Sequence, residues 1–208
     1  MVLSDADRGR IIEAIRLAET RTSGEIYCVF SRASSAYRVF PLAWAAGIAL
    51  LVPLPLIYLT TWPALVIYLL QLGAFIGVMY GLTREPVRYH IVPRSVKHAR
   101  AHQEALRQFA AHGLQHTELR TGVLIFVSIA ERHAEVLADA GIAQKVSPDV
   151  WDNAVKTLLS DIRAGRTADG FVAIIDTCAA TLAQHFPPGA INRNELPNAI
   201  VELWPLSK

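Results

Sequence analysis

Glu131 and Asp139 are the acids in this chain best placed to do chemistry. They flank a short apolar stretch, His133 to Asp139, that reads as a weak strand, and loops at strand ends are where α/β folds tend to build sites. Two carboxylates converging there would suit a hard cation such as calcium or magnesium, which prefers oxygen ligands. The structural alternative is a solvated turn for Glu131 and a loop-capping role for Asp139. Asp169 reads more simply as a helix-start residue, and Asp176 falls on the polar face of the last helix. Two histidine pairs, His98 with His102 and His112 with His116, are four residues apart. On a helix that spacing sets two imidazoles on one side, as some zinc sites use. Gly113 interrupts the second pair, no neighbouring glutamate gives the metalloprotease pattern, and His98 and His102 lie at the edge of an apolar stripe where histidines are common. A glycine-rich dinucleotide loop, a phosphate loop ending in Lys-Ser/Thr, a nucleophile elbow and a Cys-x-x-Cys pair are all missing from the sequence.

The elements that must position these residues fall into two soluble flanks around one apolar run. From Val39 to Thr83 about 45 residues carry no charge, roughly twice what one bilayer crossing needs. The segment Leu59-Thr60-Thr61-Trp62-Pro63 is its one plausible turn, so the run predicts a two-helix transmembrane hairpin. Pro53 and Pro55 should kink or end the first helix near its outer end. Arg32 and Arg38 precede the run, and Arg84, Arg88, Arg94, Lys97 and Arg100 follow it, while the turn has no positive charge. The positive-inside rule then puts both termini in the cytoplasm of a two-pass inner (plasma) membrane protein. Trp62 and Tyr58 at the tip, and Trp44 and Tyr80 at the other face, match interfacial belts. The basic cluster from Arg84 to Arg100 also suits anionic lipid headgroups.

Within the hairpin there is no Asp, Glu, Lys, Arg or His, which argues against transport. Gln71 could bond across to the other helix. Gly73, Gly77 and Gly81 repeat at a spacing that lets helices approach closely, and Ala45 with Ala49, and Ala43 with Gly47, answer on the first helix. Two readings stand: packing within the hairpin, where a partner is already at hand, and pairing with a second copy. The partners expected are thus the lipid bilayer, another copy through Gly73, Gly77 and Gly81, and a further membrane protein. Nucleic acid is not expected, because 20 Lys and Arg against 18 Asp and Glu leave no strong positive field.

In the first flank, Ser4 and Asp7 form a capping pair for a helix that buries Ile11, Ile15 and Ala18. Thr22-Ser23-Gly24 ends it, and Glu25 to Phe30 reads as a strand. One helix and one strand cannot bury a core alone, so residues 1–38 belong with residues 84–190 and the hairpin, 39–83, interrupts one domain. After it, Pro93 precedes a helix to about His112 with Val96, Ala99, Leu106, Phe109 and Ala110 on its buried face. Val123 to Ile129 is an unbroken apolar run, typical of a central strand covered on both faces. Ser147-Pro148-Asp149 opens a helix that stops at Gly165, and a last helix runs from about Asp169 to His185. Residues 191–208 read as a C-terminal tail. Cys28 and Cys178 sit inside apolar patterns and read as buried free thiols in a reducing compartment. No secretory signal is visible. Helices on both sides of a small apolar sheet predict a three-layer α/β/α sandwich with a mixed sheet.

Three stretches resemble the TPM domain family: Arg21-Thr22-Ser23-Gly24-Glu25-Ile26, Arg120-Thr121-Gly122-Val123-Leu124-Ile125-Phe126-Val127-Ser128, and Glu131 with Ala138-Asp139-Ala140-Gly141-Ile142. The likeness is greatest to a bacterial membrane branch in which a transmembrane hairpin follows the first strand. The resemblance implies an α/β/α sandwich. Exported members are associated with acid phosphatase activity and divalent-cation binding, others with membrane-complex maintenance or receptor trafficking. Two functions follow as expectations. One is a cytoplasm-facing binding or accessory module at the inner membrane. The other is a divalent-cation-dependent phosphatase for phosphate monoesters, with Glu131 and Asp139 holding the metal.

Overall fold

The structure is a computed structural model describing residues 3–188 and 196–204. In chain order its elements are α1 (Asp5–Glu19), β1 (Glu25–Ser31), α2 (Val39–Leu51), α3 (Pro53–Leu59), α4 (Ala64–Leu82), α5 (Glu85–Arg88), α6 (Arg94–Ala111), β2 (Gly122–Ser128), β3 (His133–Ala138), α7 (Ala140–Ala143), α8 (Asp152–Arg163), α9 (Thr167–His185) and β4 (Ile200–Leu203). Two compact units result: Met1–Ser34 with His98–Lys208, and Ser35–Lys97. The borders differ from the expected 38 and 84. Tyr37 explains part of the difference, since its ring packs edge-on against Phe40 at 6.4 Å and Tyr89 at 5.9 Å, and so belongs with the inserted segment.

The larger unit is the expected α/β/α sandwich. Ser4 caps α1 by accepting the Asp7 amide, and Ile11, Ile15 and Ala18 are buried as the periodicity requires. β1 and β2 are buried along their whole length and run parallel, Glu25 opposite Gly122 through Ser31 opposite Ser128. β3 returns antiparallel to β2. On one sheet face Ile26, Cys28, Phe30, Val123, Ile125 and Val127 pack with residues of α1, α8 and α9. On the other, Tyr27, Val29, Leu124 and Phe126 pack with Ala101 and Ala105 of α6. Burying one such side chain contributes about 1.5–3 kcal/mol, which is why the two apolar runs take the sheet centre. Cys28 and Cys178 are free thiols in this core, and burial pushes Cys178 up to about 12.

Three expectations need correction. The buried stripe of α6 is Ala101, Ala105 and Gln108, with Phe109 beside it, whereas Leu106 and Ala110 are exposed. Alanines let the helix lie close over the large side chains of β1 and β2, so small residues rather than the largest ones face the sheet. The segment expected as a tail supplies a fourth strand: β4 pairs parallel with β1, Cys28 opposite Ile200 through Ser31 opposite Leu203, giving the order β3-β2-β1-β4. A buried β1 needs partners for the backbone groups on its outer edge, and four residues of β4 supply them. Residues 191–195 and 205–208 of the tail lie outside the described residues. The expected cap at Ser147 opens a 3-10 turn, Pro148–Trp151, before α8 begins.

The smaller unit holds two helical stretches long and apolar enough to cross a membrane, Val39–Leu59 with 21 residues and Ala64–Leu82 with 19. At a rise of about 1.5 Å per residue each spans roughly the 30 Å of a hydrocarbon core. The first breaks at Val52, because prolines at 53 and 55 cannot donate to the preceding turn. Ala45 and Ala49 are buried, and Gln71 lines a cavity of about 290 Å³ with Ala46, Ala49 and Tyr68. Gly73, Gly77 and Gly81 do not serve this packing. A Cβ built on any of them meets nothing within 4 Å, so the glycine stripe faces away from α2.

Candidate functional site

Glu131 sits where β1 and β2 end together. Ser128 is the last residue of β2, opposite Ser31, and its hydroxyl donates to the Glu131 carboxylate. The other carboxylate oxygen accepts the Ser34 amide at 3.0 Å, and the Ser34 hydroxyl reaches Ser128 Oγ at 2.9 Å. The buried carboxylate thereby ties the loop after β1 to the end of β2.

Asp139 lies at the far end of β3. It caps α7 by accepting the Ala140 amide at 2.7 Å, and its Oδ2 is 2.8 Å from Arg120 Nε. Arg120 holds a left-handed φ of 55°, and its carbonyl accepts the Gly141 amide. Glu131 and Asp139 are thus separated by Arg132 and the six residues of β3, the strand alone being about 20 Å of extended chain. They do not share a centre, and the expectation of one calcium or magnesium held by both is overturned: β3 carries one to each end of β2. Asp169 pairs with Arg10 at 2.6 Å and Asp176 with Arg21 at 2.7 Å, both on the surface.

The histidines fare differently. His112 stacks on Tyr27 with ring centroids 4.5 Å apart, and His116 lies beyond left-handed Gly113, beside Gln115. His98 and His102, on α6, meet a second pair on β3. His102 Nδ1 is 2.8 Å from Glu135 Oε2, His133 Nε2 is 3.2 Å from Glu135 Oε1, and the rings of His98 and His133 are 5.0 Å apart. Burial alone would raise Glu135, but the flanking imidazoles of His133 and His102 outweigh it and hold the carboxyl below its usual range. The sequence reading missed His133 and Glu135. Their signal was the two-residue period of β3, which puts 133, 135 and 137 on one face and Ala134 and Val136 on the other.

Residues 79–181 match the family model of the TPM domain. The chain contains a TPM domain. Its fold is also similar to the NMR structure of the BA42 protein from the psychrophilic bacterium Bizionia argentinensis, with a TM-score of 0.62 over 98% of this chain and 97% of that one, at 21% identity. No curated protein matches the sequence. The matched stretch of the TPM domain includes β2, β3 and α8, and β1 completes its sheet from before the hairpin. At the carboxyl end of β2 in this domain, Ser128, Arg132 and Arg163 line a cavity of about 160 Å³ whose remaining walls are apolar. Two guanidiniums in such a place suit an anionic group.

Proposed function

We propose that this chain is a two-pass inner-membrane protein whose TPM domain faces the cytoplasm and works as a binding or accessory module. The observation that carries the reading is the surface of the hairpin. Leu50, Leu59 and Leu65 stand 69, 82 and 68% exposed on helices of membrane length, and so large an apolar surface is stable only against lipid or protein. Trp62 and Tyr58 at the tip and Trp44 and Tyr80 at the base are exposed too, with the Arg84 guanidinium 4.6 Å from the Tyr80 ring, an anchoring pattern for a membrane interface. The arginines and lysine flanking the hairpin support this orientation. The accessory role is supported by what Glu131 and Asp139 do: each is engaged by the chain's own amides and side chains.

Cysteine labelling tests this reading. Thr61→Cys in intact cells should react with a membrane-impermeant maleimide, and Lys156→Cys only after lysis; the native Cys28 and Cys178 are buried and do not compete. Labelling of Lys156→Cys from outside would reverse the orientation.

A second copy of the chain is the partner best supported for the hairpin, since the glycine stripe is open and permits close helix approach. Gly77→Ile should convert a detergent-solubilised dimer to monomer in analytical ultracentrifugation; an unchanged mass would exclude that contact. The alternative activity, cation-dependent hydrolysis of phosphate monoesters, is favoured only by the Ser128, Arg132 and Arg163 cavity. It requires turnover that is lost in Arg132→Gln.

A further inference from the structure

The geometry points to a transition-metal site, of the zinc type, formed by His102, His133 and Glu135 with His98 beside them. It stands independently of the membrane reading. Four donors come from two rigid elements: His98 and His102 are one turn apart on α6, and His133 and Glu135 are two apart on the same face of β3. Imidazole with one carboxylate is a zinc donor set, whereas calcium and magnesium prefer oxygen alone.

Two of the separations are close to those a metal needs. In a tetrahedron with bonds of about 2.0–2.1 Å, neighbouring ligand atoms lie roughly 3.3 Å apart. The observed separations are 2.8 Å between His102 Nδ1 and Glu135 Oε2, and 3.2 Å between His133 Nε2 and Glu135 Oε1. As they stand, no three of the described side chains converge on one coordination point. The two imidazoles contact different oxygens of Glu135, so a shared metal requires the carboxylate and the half-exposed His102 side chain to rotate towards one point, a change of side-chain rotamer alone.

Two orphaned atoms supply a further reason. His133 Nε2 and Glu135 Oε1 are buried and face each other, yet neither has a hydrogen bond of proper geometry. Buried polar atoms without such partners are costly, and a metal between them would satisfy both. His98, with its ring 5.0 Å from that of His133, is placed to be the fourth ligand.

Tag-free full-length protein in detergent, titrated near neutral pH with Zn²⁺ in a calorimeter and with Co²⁺ followed by visible absorption, tests the site. One metal per chain and the intense bands of four-coordinate Co²⁺ are expected. His102→Gln, His133→Gln and Glu135→Gln should each weaken Zn²⁺ on the order of 100-fold or more, while His116→Gln leaves it unchanged. Zn²⁺ should raise the melting temperature of the parent and not that of Glu135→Gln, and the metal-free melts of both show whether the variant folds. No binding tighter than about 10 μM, or binding that persists in both Glu135→Gln and His133→Gln, overturns the proposal. The cluster would then be only a polar guard on the sheet edge.

Discussion

Gly122→Ala is expected to destabilise the TPM domain by more than about 3 kcal/mol, and so to lower its melting temperature by roughly 6–12 °C or prevent folding. A Cβ at position 122 would lie 2.4 Å from the Leu114 carbonyl oxygen and 3.1 Å from Leu114 Cβ. Neither side can yield cheaply. Leu114 is fully buried and belongs to a short 3-10 turn held by left-handed Gly113. Gly122 opens β2, which is paired on both edges, to β1 and to β3. Gly9→Ala is the matching control. It lies on the exposed side of α1 with nothing within 4 Å of the added methyl, so it should stabilise by about 0.5–1 kcal/mol through helix propensity. Melting curves by circular dichroism decide the matter: a Gly122→Ala melt within about 2 °C of the parent would mean that the turn moves aside freely.

The second large effect concerns pH. Glu19 is buried at the end of α1, its Oε1 accepting the Ile26 amide at 3.2 Å. Burial is the main cause that pushes its carboxyl up to about 8; nearby Glu25 adds to the rise, while the Ile26 amide and Asn198 oppose it. The folded state therefore holds a proton that the unfolded chain, with a value of 4.5, has released. Stability falls as pH rises from about 4.5 to about 8 and is level beyond that. Glu19→Gln keeps an acceptor for Ile26 and carries no charge. It should be more stable than the parent by about 2–3 kcal/mol above pH 8, after allowance for solvent screening, with the difference vanishing towards pH 5. Comparing parent and variant denaturation across that range cancels the titration of other groups. Equal stabilities at alkaline pH would show that the carboxylate is better solvated or better paired than its burial implies. Glu25, also buried, accepts the Leu196 amide at 3.3 Å, so these two acids hold the segment leading into β4.

What the sequence determined by itself follows from local physics. A charge-free run of bilayer length fixes the hairpin, and prolines at 53 and 55 fix its break. The unbroken apolar stretch at 123–127 fixes a strand buried on both faces, and the spacing of Ile11, Ile15 and Ala18 fixes the packed side of α1. Each of these signals is carried by neighbours in the chain. The tertiary structure decided what depends on residues far apart or on the rotation of an element about its axis. Only the antiparallel return of β3 shows that Glu131 and Asp139 lie at opposite ends of β2. Only the pairing with β1 makes a strand of Ile200–Leu203. The glycines at 73, 77 and 81 have the same spacing whichever way α4 is turned, and packing against α2 turned them outward. His98 and His102 met His133 and Glu135 because α6 lies over the edge of the sheet. Spacing within one helix specifies which side chains share a face, but not what that face will meet.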